Sequence, residues 1–99
     1  MDENSANQRE EEEMVKKARE VMYQIKSHFR IKFGCQVTKY LKYNYGVRFS
    51  EGDKVVWKDI PRKYMEDQHP EKSHTDYWEK LFNMVEEELN SQKGGKPNP

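Results

Sequence analysis

Val47-Arg48-Phe49-Ser50-Glu51-Gly52-Asp53-Lys54-Val55-Val56-Trp57 is the stretch whose reading decides the fold class. Val47-Arg48-Phe49 alternates, Ser50-Glu51-Gly52-Asp53 is turn-forming, and Lys54-Val55-Val56-Trp57 resumes residues suited to a pleated, half-buried surface. Together they predict a β-hairpin. With Phe49, Val55 and Trp57 inward, Arg48, Lys54 and Lys58 project to the other side. A two-stranded ribbon is marginal alone, so Trp57 is expected to pack on a helix.

The segments on either side supply the helices. Upstream, Met14, Ala18, Val21, Met22, Ile25 and Phe29 fall at i, i+4, i+7, i+8, i+11 and i+15, one apolar stripe at the helical period. Glu10–Glu13 open this helix, where carboxylates suit the positive end of the macrodipole. Gly34 is the expected stop, since glycine takes the left-handed conformation beyond a helix end. Cys35 to Tyr45, closed by Gly46, reads as a second helix with Val37, Tyr40 and Leu41 toward the core. Its β-branched and aromatic residues leave strand pairing open.

Downstream, Asp59 reads as an N-cap, with Pro61 in the first turn of a short helix through about Asp67. Residues 69–74 are polar and contain a proline, hence a loop. Thr75 is placed as the cap of the last helix, where Trp78, Leu81, Phe82, Val85 and Leu89 recur at i, i+3, i+4, i+7 and i+11. The two terminal helices are expected to pack on each other.

The order is helix, helix, β-hairpin, helix, helix: a small, helix-rich α+β single domain. It is loosely winged-helix-like, with the second helix as reader and the hairpin as wing. Residues 1–9 are expected to be a disordered acidic and polar tail, 10–92 the folded domain, and 93–99 a flexible tail. Trp57-Lys58-Asp59-Ile60-Pro61-Arg62-Lys63-Tyr64 resembles the Leu-Pro-x-x-Tyr helix of LOTUS domains, germline modules that bind RNA or DEAD-box helicases. That resemblance covers eight residues, lacks the Gly-Phe segment and closing strand of such domains, and carries no site residue across.

Composition bounds the rest. Ninety-nine residues make one domain, and 33% apolar content keeps its core small. Two Trp, six Tyr and four Phe argue against a disordered chain, because disordered segments are poor in aromatics. The single cysteine, Cys35, cannot form an internal disulfide, so a reducing compartment is expected. No apolar run approaches the ~20 residues needed to span a bilayer. The acidic N-terminus is unlike a leader peptide. A cytoplasmic or nuclear protein with no membrane partner follows as the expectation.

Charge carries the functional signal. Between Lys16 and Lys63 lie thirteen of the eighteen Lys and Arg residues and only four acids, while both flanks are acidic. On the first helix, Lys16, Arg19, Tyr23, Lys26 and Arg30 lie within about 80° of one another, a basic stripe roughly 21 Å long centred on a tyrosine. A solvated helix face also collects Lys and Arg, but this one has no Asp or Glu after Glu12. Lys39, Lys42 and Tyr43 extend the block, and Arg48, Lys54 and Lys58 add one side of the hairpin. Cations mixed with flat rings suit a polyanion with stackable bases.

A nucleic-acid-binding module, RNA or DNA, is therefore the leading expectation. The alternative is a protein-interaction adaptor whose basic face receives an acidic partner segment or helix, with self-association as a variant. No catalytic or cofactor motif is present. Asp67, His69 and His74 share a loop at spacings that match no zinc pattern, and Cys35 reads as a core thiol. Non-enzymatic binding, with no cofactor and no metal, is the expectation.

Overall fold

Gly52 sits at φ +64°, a left-handed value that glycine takes without a Cβ clash, and it sets the register of the sheet. Glu51 lies opposite Lys54, so the turn is two residues long, with Phe49 facing Val56 and Arg48 facing Trp57. In the computed structural model, which describes residues 2–92 with the side chains of 2–7 and 71 left out, this hairpin is part of a larger sheet. The elements are α1 (Asp2–His28), β1 (Gly34–Tyr40), β2 (Asn44–Glu51), β3 (Lys54–Pro61), α2 (Arg62–Met65), α3 (Pro70–Ser73) and α4 (Thr75–Gln92). The three strands form one antiparallel sheet in the order β1-β2-β3.

The α+β class stands, but the element order changes. The segment read as a second helix is a strand through Tyr40 followed by a turn. Pairing with β2 sets Val37 opposite Val47, both fully buried, which favours β-branched residues over a helix. The expected reader helix is thus an edge strand. Asp59 lies inside β3 rather than at an N-cap, and α2 begins after Pro61, which offers no side-chain cap. Thr75 is the first residue of α4, with the His74 carbonyl accepting from Trp78 N–H at 3.1 Å.

Register also reverses the reading of β3. A two-residue turn places Phe49 and Val56 on one face, so Val56 and Ile60 are buried and Trp57 faces out, 58% exposed. Shifting the inward set from Val55 and Trp57 to Val56 and Ile60 flips every side chain of the strand. Lys58 consequently points to the helix side, where its ammonium lies 2.6 Å from the Glu88 carboxylate of α4.

One sheet face carries the core. Val15, Ala18, Met22 and Ile25 from α1 and the Trp78, Leu81, Phe82, Val85, Leu89 stripe of α4 are buried with Val37, Tyr45, Val47, Phe49, Val56 and Ile60. Helix α1 lies over β1 and α4 over β3. The expected packing of the two terminal helices on each other is slight: just beyond the end of α1 the Phe29 ring centroid lies 5.7 Å from that of Phe82, and Phe33 wedges between Phe82 and Phe49. The opposite face is open, with Gln36, Lys39, Trp57 and Asp59 all exposed.

Both sheet edges are partly occupied by side chains. Arg19 Nε donates to the Val37 carbonyl on the β1 edge at 3.1 Å. On the β3 edge the Gln92 carboxamide accepts from Val55 N–H at 3.1 Å and donates to its carbonyl at 2.7 Å, standing in for a strand neighbour. Helix α1 starts at Asp2, upstream of the glutamate run, and ends before Gly34 is reached. Its stop is Arg30 at φ +56°, with Arg30 N–H donating to Ser27 O and Ile31 N–H to Lys26 O, the two bonds of a Schellman motif. The expected tail at 93–99 lies outside the described residues.

Candidate functional site

The basic stripe is built by α1. Lys16, Arg19 and Tyr23 stand exposed on the face opposite Ala18, Met22 and Ile25, and Lys26 is half-buried beside them. Tyr23 is 72% exposed, so its ring is available to a partner. Arg30 lies two residues past the helix end, in the left-handed position that glycine occupies at less cost. That strain is about 1–2 kcal/mol for a non-glycine residue. A cation beside the last carbonyls recovers part of it by opposing the helix dipole. Arg30→Gly is expected to raise stability in urea unfolding by about 0.5–1 kcal/mol while removing one cation from the face.

Lys39, Lys42, Tyr43 and Arg48 come from β1, its turn and β2. Lys39 lies opposite Gly46, and a Cβ on that glycine would meet the Lys39 Cβ at 3.3 Å, so the lysine stem runs flat across the bare backbone. Lys42 and Tyr43 form the β1–β2 turn with the lysine ammonium 5.4 Å from the tyrosine ring centre. This turn is braced from α2: Arg62 donates to the Lys42 carbonyl and stacks over the Tyr40 ring at 4.6 Å. Beneath it, the buried Tyr45 hydroxyl donates to Glu66 at 2.7 Å, and burial with that carboxylate pushes the phenol well above its ordinary range. The helix stripe and the sheet meet at the β1 edge, where Lys16, Arg19 and Thr38 line a shallow groove that Glu11 and Glu12 close at one end.

Two of the expected cations are not available on this surface. Lys58 is held by Glu88, and Lys54 lies 3.9 Å from Glu51, both on the helix side of β3. By contrast, Lys16, Arg19, Lys26, Arg30, Lys39, Lys42 and Arg48 have no carboxylate within ion-pair distance among the described residues. The sequence reading missed Trp57, which it assigned to the core. The missed signal was turn length: a two-residue Gly-Asp turn fixes which neighbours face in.

Asp67 and His74 are held by each other, and Cys35 by burial. Asp67 accepts from His69 N–H at 2.8 Å and pairs with His74 Nε2 at 3.0 Å; the backbone bond comes first in holding its carboxyl below the usual range. No three His, Cys, Asp or Glu side chains converge as a metal site among the described residues. Burial pushes the Cys35 thiol up to about 12, with the Lys26 charge opposing, so it stays protonated at neutral pH. No described helix is long and apolar enough to cross a membrane. No family model, curated protein or solved structure matches this chain.

Proposed function

We propose that this chain is a non-enzymatic nucleic-acid-binding module. The observation that carries the reading is the placing of its cations, although Lys63, Lys72 and Lys80, off the candidate face, are also without carboxylate partners among the described residues. Those that meet carboxylates sit at the turn, on the helix side of β3 and on α2, as Lys54, Lys58 and Arg62. Those on α1, the β1–β2 turn and the open sheet face have no such partner among the described residues. A cationic surface, with Glu11, Glu12 and Asp59 beside it and the exposed rings of Tyr23, Tyr43 and Trp57 interleaved, suits phosphates and bases together. Arg30 adds its guanidinium to that surface from the left-handed position past the end of α1.

The test is binding of oligonucleotides at two salt concentrations. Log affinity is expected to fall with log salt by about 0.7–0.9 per neutralised phosphate, so a face contacting several phosphates loses orders of magnitude between 50 and 200 mM. No binding at low salt would sink the reading. An adaptor for an acidic segment is the second reading. It is favoured by the exposed Leu41 and Tyr43 at the turn, 41% and 71% exposed, which offer apolar area that phosphates do not need.

A further inference from the structure

Trp57 is the largest side chain left exposed in the sheet, and nothing in the fold asks for it there. The hairpin register sends residue 57 outward whatever its identity, so a threonine would serve the strand as well. An exposed indole forfeits its burial, and that cost is recovered only when something covers it. Its surroundings say what. In the sheet, Gln36, Arg48 and Trp57 form one cross-strand row on the open face, and directly opposed Cβ atoms lie about 4.5–5.5 Å apart. Arg48 therefore stands beside the indole. The next row is Lys39, Gly46 and Asp59, with the lysine stem lying flat over the bare glycine.

We propose that this open face is a platform for single-stranded nucleic acid, on which an unpaired base stacks on Trp57 while Arg48 and Lys39 hold adjacent phosphates. The proposal rests on the nucleic-acid reading above and deepens it by naming the ligand class. Charge complementarity selects the ligand: Arg48 and Lys39 lack carboxylate partners among the described residues, and Asp59 is the one carboxylate from the strands on that face. Asp59 and Gln36 offer acceptors to base N–H groups rather than to phosphate. An acidic peptide would satisfy the cations but brings no flat surface for the ring. A duplex brings phosphates but keeps its base faces stacked inside, so it cannot cover Trp57.

The two tryptophans make the test specific. Trp78 is fully buried and Trp57 is 58% exposed, so quenching on ligand addition reports Trp57. The full-length chain is titrated at low salt with a mixed-sequence single strand of about ten nucleotides, with its duplex, and with poly-glutamate. Expected are quenching by the single strand alone, a loss of about 5- to 150-fold in single-strand affinity for Trp57→Ala, and near-full affinity for Trp57→Phe. Unchanged melting of Trp57→Ala accompanies this, since the residue lies outside the core. If the duplex binds as tightly and Trp57 emission does not move, the platform is overturned while the nucleic-acid reading survives on the α1 stripe. Quenching by poly-glutamate equal to that by the single strand overturns the base-stacking assignment. Binding of neither nucleic acid overturns both.

Discussion

Trp78→Ala is expected to bring the chain to the edge of stability, with up to about half of it unfolded at room temperature. The indole is fully buried, with Tyr77, Phe82 and Tyr64 ring centroids 5.2, 5.9 and 6.5 Å away. Truncating a buried tryptophan costs about 3–5 kcal/mol in transfer and cavity terms. A domain of this length holds about 5–15 kcal/mol in total, and its small apolar fraction places it at the low end. The same residue carries a cost: Trp78 Nε1 has no hydrogen-bond partner among the described residues. A buried unsatisfied donor costs about 1–3 kcal/mol. Trp78→Phe removes the orphan N–H and keeps most of the ring contact, so it is expected to lie within about 1.5 kcal/mol of the parent. Urea unfolding of the two variants checks this. Equal losses would mean that the indole's shape, not burial of an aromatic, sets the stability. The phenylalanine variant also leaves Trp57 as the sole indole for the binding titration.

What could be read from the sequence, and what could not, divides along a physical line. The α1 and α4 stripes were legible because a long helix writes its buried face at a fixed period, and Trp78, Leu81, Phe82, Val85 and Leu89 are all buried as their spacing predicts. The 35–45 segment was not, because Gly34, Cys35, Val37 and Tyr40 become a strand only through pairing with β2, a non-local event that local propensity records weakly. The side choice in β3 failed for a narrower reason. Val55, Val56 and Trp57 are consecutive and apolar, so either alternation buries something, and only the turn at Gly52 decides between them. That single choice moved Trp57 from the core to the surface and Lys58 from the surface to an ion pair. Of the residues expected on the candidate face, Lys54 and Lys58 leave it for ion pairs, and Trp57, expected in the core, joins it. The end of α1 illustrates the reverse case: Gly34 was the obvious stop, yet the chain closes on Arg30, four residues earlier, by backbone bonds no composition rule would reveal.

Reversing two charges on α1 separates a phosphate surface from a face that is merely solvated. Lys16 is exposed, Lys26 is half-buried at the rim, and neither makes an ion pair among the described residues, so no native pair is lost when both become Glu. The new like-charge neighbours of position 16, Glu12 and Glu20, cost about 0.2–0.5 kcal/mol each. The glutamate at 26 stands in the last turn of the helix and costs a few tenths of a kcal/mol against the dipole. Binding is expected to respond far more. Each phosphate contact is worth about 0.7–0.9 of a decade in affinity at 0.1 M salt relative to 1 M, so losing two costs about thirtyfold and repulsion adds to it. Neutral Lys16→Gln with Lys26→Gln supplies the control, since it removes contacts without adding repulsion. For a single strand its plot of log affinity against log salt is expected to flatten by about 1.4, two contacts at about 0.7 each. An unchanged slope would show that α1 does not touch phosphate, whatever the absolute affinity. A flattened slope with unmoved Trp57 quenching would assign the helix and the open sheet to different parts of one ligand, the helix to its backbone and the sheet to a base.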